Sequence, residues 1–271
     1  MESDLQRRVQ RYGWDKASGY YESYWQHQLK PAQQLLLKMA ELKGGEKIID
    51  IACGTGLVSF PAAELAGEKG FLLGTDISDK MVELSTEIAI ERNVSNIKFE
   101  RMDAEELKVE DEAFDIALCA LGLMYVPDPL KAMKEMLRVI KPGGHAVSAV
   151  WGQRKNCGWA DLFEIVDKRV ASEVCPMFFN LGNIDSLLRY FEKGGFKNIQ
   201  TERITHTLFY VTDEEACGAA FLGGPVAMAY NKFSEQVKKE AREEYLNSIH
   251  QFKKTDGYHV SGEFVVGVGY K

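Results

Sequence analysis

At 271 residues, with 45% hydrophobic and 27% charged side chains, the chain has room for one large domain, or one domain with an insertion, around a full core. Its 40 acidic against 33 basic side chains leave a net charge of −7, so a nucleic-acid phosphate track would be built against the overall field and small-molecule partners are favoured. Five cysteines (Cys53, Cys119, Cys157, Cys175 and Cys217) without a C-x-x-C pair fit neither a disulfide framework nor a zinc site, which points to a reducing, cytoplasmic setting without metal.

The first residues, MESDLQRRVQRYGWDKASGYY, hold no apolar stretch for a secretory signal. The longest apolar run, Ala219 to Ala229, is broken by Gly223, Gly224 and Pro225, so no membrane span is expected. After a polar start, Gln33 to Leu42 reads as a helix stopped by Gly44 and Gly45. Lys47 to Ala52 is a β-branched strand, Leu57 to Ala66 a helix, Phe71 to Thr75 a strand and Asp79 to Glu91 a helix. Ile97 to Glu100, Phe114 to Ala120 and His145 to Val150 are the next strands; Pro129 to Ile140 is a helix, and Pro142-Gly143-Gly144 a turn into the fifth strand. Helical patterns follow at Ala160 to Val174 and Ile184 to Glu192, then a long strand at Ile199 to Tyr210. Asp213 to Ile249 is helical with a break at 223–225, and Val260 to Tyr270 is a closing strand. Strands apolar on both faces, alternating with helices, predict an α/β doubly wound, mostly parallel sheet with an antiparallel pair at one edge. The run at 234–245, SEQVKKEAREEY, is a solvated helix face.

In such a sheet, ligands sit beyond the C-terminal ends of the strands. IIDIACGTGLVSF places Asp50, Ala52, Gly54 and Gly56 at the first of those ends. The glycines permit close approach to a helix N-terminus that suits a phosphate or a carboxylate. A dinucleotide fingerprint needs three glycines at G-x-G-x-x-G spacing, and the set is incomplete here: Ala52 stands before Gly54 in one register, and Ser59 follows Gly54 and Gly56 in the other. Asp76, ending the second strand, suits both hydroxyls of a ribose. Asp103, ending the third, sits beside the Ala104 amide, a pair suited to an adenine edge. Acids at three strand ends favour a cationic nucleoside over an anionic dinucleotide.

The stretches IIDIACGTG, LLGTDISDKMVELS, FERMDAEEL and FDIALCALGLMYVPDPLKAMKEMLRVIKPGG, with WDKASGYYESYW before them, span about positions 14 to 151. In that order they resemble the class I S-adenosylmethionine-dependent methyltransferases, and among them the ubiquinone/menaquinone biosynthesis methyltransferases (the methyltransferase type 11 group). The resemblance implies a Rossmann-like seven-stranded sheet with an antiparallel last strand, and S-adenosylmethionine as cofactor, leaving S-adenosylhomocysteine. It implies that the Gly54 and Gly56 turn holds the methionine part, Asp76 the ribose, and Asp103 with Ala104 the adenine between Ile77 and Met81. Cys119, Ala120 and Leu121 would face the methionine amino group, and Tyr21 and Trp25 would close over the cofactor. Ala52 stands where the pattern has its first glycine, which narrows the turn.

The whole chain, 1–271, is then one methyltransferase domain: a helical cap at 1–43, a cofactor-binding core at 44–151, and a substrate side at 152–271 whose helical insertion, 211–257, acts as a lid hinged at Gly223-Gly224. Trp159, Phe178, Phe179, Phe221, Met228 and Tyr230 are the candidates to line a cavity for an apolar, aromatic or isoprenoid-like acceptor, against the plainer reading of aromatic residues as core. His206, in RITHTLFY, is the catalytic candidate, set against a place on a strand surface. The expected activity is methyl transfer to a carbon, oxygen or nitrogen of a small molecule by a monomer or homodimer. The alternatives are an NAD-dependent oxidoreductase and a non-catalytic interaction module of the same fold.

Overall fold

The computed structural model describes residues 3–170, 175 and 177–271. Its first element is not the short helix expected from Gln33 but one helix of 38 residues, α1 (Ser3–Ala40). Its C-terminal part carries most of its apolar residues into the core; the first half buries Gln6 and Gln10 with only the small Gly13 and Ala17 beside them.

Then come β1 (Lys47–Ile51), α2 (Ser59–Ala66), β2 (Phe71–Asp76), α3 (Asp79–Glu91), β3 (Ile97–Arg101), β4 (Phe114–Ala120), α4 (Pro129–Val139) and β5 (Ile140–Trp151). Caps fix two of these helices at their starts: Ser78 Oγ accepts from the Met81 amide, and Asp128 from the Leu130 and Lys131 amides. The expected turn at Pro142-Gly143-Gly144 is instead part of β5, whose pairing with β4 shifts register between Phe114 and Ile116.

The second half holds α5 (Asp161–Asp167), α6 (Ser186–Gly194), β6 (Lys197–Tyr210), α7 (Asp213–Phe221), α8 (Ala227–Tyr230), α9 (Glu235–Ser248), β7 (Lys253–Lys254) and β8 (Gly257–Tyr270). The helix expected to reach Val174 ends at Asp167, and 171–174 lie outside the described residues.

The sheet order is β3-β2-β1-β4-β5-β8-β6, with the two-residue β7 added against β8. β1 to β5 pair in parallel, and β8 runs antiparallel to both β5 and β6. On one face, Leu36 and Ala40 of α1 and Ala62 and Ala63 of α2 pack on Ile48, Leu72 and Leu118. The other face carries α4, α6 and the helices of the insertion around Ile49, Ala117, Val150 and Phe264. Strand order reverses between β1 and β4, so the crevice such a reversal opens lies at their C-terminal ends. There the chain turns sharply at both ends, with Ala52 at φ 55° and Leu121 at φ 62°. Among the described residues no helix is long and apolar enough to cross a membrane.

Candidate active site

A cavity opens at that crevice. Its floor is the turn after β1, closed by a bond from the Gly56 amide to the Cys53 carbonyl at 3.0 Å. Ala52 and Gly54 line it, and Gly54, at φ 57°, lies under Tyr21: a Cβ there would stand 3.7 Å from the phenol ring. Asp76 comes in from β2. Its Oδ2 accepts from the Gly54 amide and its Oδ1 from the Ser78 amide, both at 2.9 Å, which fixes the carboxylate in place. Burial raises its pKa to about 6, against the opposing pull of those amides. Ile77, Met81, Met102 and Ala104 add apolar wall, and Ala120 and Leu121 close the β4 side.

Asp103 also lines the cavity, but its carboxylate is shared. Oδ1 accepts from the Glu105 amide at 2.9 Å and Oδ2 lies 2.9 Å from Arg7 Nε. Arg7 belongs to a row of polar side chains by which α1 grips the strand-end loops. The same guanidinium reaches Glu105, Arg11 Nε donates to Asp79 at 3.1 Å, Asp15 accepts from Ser78 Oγ at 2.6 Å, and Glu22 from Thr55 Oγ1 at 3.0 Å. The first half of α1 is thus a roof held by charge and hydrogen bonds, which explains why it buries glutamines where a packed helix would bury leucines.

Four of the cofactor candidates read from the sequence, Trp25, Asp50, Gly56 and Cys119, stand back from this cavity's lining. Asp50 is buried beneath the turn, where Oδ2 accepts from Ser59 Oγ at 2.5 Å and Oδ1 has no partner among the described residues. Burial pushes its pKa up to about 7. Gly56 faces Phe60, and Cys119 is a core thiol pushed up to about 12 by burial.

A second cavity adjoins the first and shares Trp14, Tyr21, Leu121 and Tyr125 with it. Trp25 lines this second space and not the first; its Nε1 donates to the Ala219 carbonyl at 3.2 Å. Trp159 and Phe178 line it too, with Trp151 and Phe163. Phe179 packs behind Phe178, with ring centroids 4.8 Å apart. Phe221 and Tyr230 stack on each other at 4.6 Å outside the lining, and Met228 approaches Gly13. Gly223 and Gly224 form part of the wall; neither has a positive φ, and a Cβ on Gly223 would come within 3.0 Å of the Trp25 indole. Among the described residues no charged side chain lines this cavity. Burial raises the pKa of the Tyr21 and Tyr125 phenols, so both stay protonated at neutral pH. His206 is elsewhere, on β6 opposite Gly262, in a shallow groove with Lys155 and Thr207. Among the described residues no cluster of side chains is arranged to hold a metal.

Arg7, Gln10, Trp14, Met102, Gly122 and Tyr125 line the first cavity without having been singled out from the sequence. Trp14, Met102, Gly122 and Tyr125 lie inside the stretches that carry the family resemblance, so the signal was present for those four; Arg7 and Gln10 arrive only through the docking of α1.

Residues 42–208 match the family model described as a methyltransferase domain. The demethylmenaquinone methyltransferase of Staphylococcus aureus (strain JH9) is 31% identical over 197 residues, covering 68% of this chain and 80% of that protein; the one from Staphylococcus carnosus (strain TM300) is 30% identical over the same shares. Among solved structures, a S-adenosylmethionine-dependent methyltransferase from Thermotoga maritima, described as a possible histamine N-methyltransferase, is similar in fold. It has a TM-score of 0.57 at 18% identity over 96% of this chain and 99% of that one. That membership sets the nicotinamide-dependent alternative aside: the chain belongs to the methyltransferase-domain family and is a S-adenosylmethionine-dependent methyltransferase.

Proposed function

We propose that this methyltransferase acts on an uncharged, ring-bearing or isoprenoid-like small molecule, held in the second cavity while the cofactor occupies the first. The observation that carries the reading is the pairing of the two spaces: one has fixed carboxylates at strand ends, the other, among the described residues, apolar and aromatic walls, and they meet at Trp14, Tyr21, Leu121 and Tyr125. The relatives named for demethylmenaquinone methylation support an acceptor of this class.

The first cavity fits the cofactor's chemistry. Asp76 spends one lone pair of each oxygen on a backbone amide and keeps the others for two ribose hydroxyls. Asp103 and the Ala104 amide suit the adenine edge, with Ile77 and Met81 against its faces. The turn through Gly54 faces the methionine part. When bound, S-adenosylmethionine supplies an electrophilic methyl on a sulfonium. The remaining work is alignment and exclusion of water. Tyr21 and Trp14 stand at the junction with ring centroids 5.7 Å apart and shield both spaces from solvent. Phenols kept protonated by burial donate hydrogen bonds and do not remove protons. Among the described residues no base lines the second cavity, so the proton that a ring carbon or a hydroxyl acceptor loses on methylation passes to water.

The test is to incubate the protein with methyl-labelled S-adenosylmethionine and a metabolite extract, then to separate neutral lipophilic compounds from amines and acids. Label in the neutral lipophilic fraction, with a mass gain of one methylene, is the expected result. Label retained on a cation exchanger would contradict the acceptor class.

A further inference from the structure

We infer that the indole N–H of Trp159 is a hydrogen-bond donor to an oxygen of the methyl acceptor, so that the acceptor is a ring-bearing molecule with a carbonyl, hydroxyl or ether oxygen placed against that indole. The inference rests on the second cavity being the acceptor site.

Trp159 is 4% exposed and lines that cavity, yet its Nε1 has no hydrogen-bond partner among the described residues. A buried donor left unmade costs more than a made bond returns, and in a native fold it calls for a reason. The neighbouring Trp25, in the same wall, shows the ordinary solution, donating its Nε1–H to the Ala219 carbonyl. Trp159 is set among rings instead: Trp151, Phe178, Phe179, Phe163 and Trp25 lie around it at centroid distances of 4.8, 5.7, 5.8, 5.9 and 6.2 Å. Those rings offer π faces and edges but no carbonyl or carboxylate. With apolar walls around it, one directional donor decides which way a flat acceptor lies, and a site with a buried donor rejects analogues that lack its partner.

The test uses a matched pair of inert probes, α-tetralone and tetralin, which differ by one carbonyl oxygen, with S-adenosylhomocysteine present throughout. Wild-type protein should bind the ketone about tenfold more tightly than the hydrocarbon. Trp159→Phe should erase that preference by weakening the ketone, leaving the hydrocarbon within about twofold. The chain has 4 tryptophans, so a ¹⁵N-indole spectrum has few signals to assign. The Trp159 resonance should move downfield with α-tetralone and not with tetralin. Should Trp159→Phe fail to fold, Trp14→Phe, Trp25→Phe and Trp151→Phe assign that resonance by elimination and the wild-type spectrum decides. Equal affinities for the pair in the wild type, or a Trp159 signal that ignores the ketone, would overturn the inference and leave the apolar acceptor site standing. Failure of both probes to bind would overturn the acceptor site itself, and this inference with it.

Discussion

The carboxylate of Asp76 accepts a hydrogen bond from the Gly54 amide at 2.9 Å, locking the end of β2 to the turn after β1. One bond therefore orients both the acid and the turn toward the same ligand. Asp76→Ala should weaken cofactor binding by about 2 to 4 kcal/mol, because two hydrogen bonds to a charged acceptor are lost. The charged form is the better acceptor for ribose hydroxyls, so binding lowers this pKa from its free value of about 6. Affinity should rise with pH up to about 6 and level off above it. Calorimetry from pH 5 to 8 should give that profile for the wild type and a flat one for Asp76→Asn.

Asp50 gives a stability effect with a definite sign. Its pKa is raised from 3.8 to about 7, chiefly by burial, so the fold favours the protonated acid. Its stabilising contribution is complete below 3.8 and is lost as pH rises through about 7. Thermal unfolding of the cofactor-free protein should show the wild type losing more stability between pH 4 and pH 8 than Asp50→Asn does. Parallel curves would mean that Asp50 is not titrating in that window.

The turn at Ala52 is coupled to the end of β4. Ala52 holds φ 55°, a conformation that disfavours a side chain, and a Cβ on Gly122 would stand 2.4 Å from the Ala52 Cβ. Gly122→Ala should cost about 2 to 3 kcal/mol by overpacking. Adding Ala52→Gly should recover about half, because it removes the clashing methyl and relaxes the turn. Urea unfolding of the two single variants and the double variant checks this; strictly additive costs would contradict the coupling.

Gly223 and Gly224 separate under the same kind of test. A Cβ on Gly223 meets the Trp25 indole at 3.0 Å, whereas one on Gly224 has its nearest neighbour at 3.9 Å. Gly223→Ala should push Trp25 into the second cavity and lower turnover about tenfold, with cofactor affinity held within about threefold. Gly224→Ala should stay near wild type. Equal losses in both variants would favour a hinge between them over a tight contact at the first.

The sheet and the strand-end acids were legible from sequence because each leaves a local mark. β4 is a near-continuous apolar run from Phe114 to Ala120, broken by Asp115, and Asp76 closes the apolar stretch of β2, whereas Asp103 follows a β3 in which apolar and charged residues alternate. What was not legible is tertiary. The first half of α1 has Gly13 and Gly19 and buries glutamines, so no apolar stripe announces a helix there; the grip of Arg7, Asp15 and Glu22 on distant loops holds it. Pro142-Gly143-Gly144 has the composition of a turn, yet β5 runs through it, with an irregular register opposite β4. Aromatic residues were found in the right region, but only packing sorts Trp159 and Phe178 into the cavity wall and Phe221 and Tyr230 into a stacked pair behind it.

The measurement that bears most directly on two adjoining sites, one for the cofactor and one for the acceptor, is calorimetric titration of S-adenosylhomocysteine and of NAD into wild-type protein and Trp159→Phe. S-adenosylhomocysteine should bind at micromolar strength, about 7 to 8 kcal/mol, and to Trp159→Phe within about threefold of that, while NAD gives no heat. Tight NAD binding without heat from S-adenosylhomocysteine, or a Trp159→Phe variant that folds but no longer holds S-adenosylhomocysteine, would contradict the account.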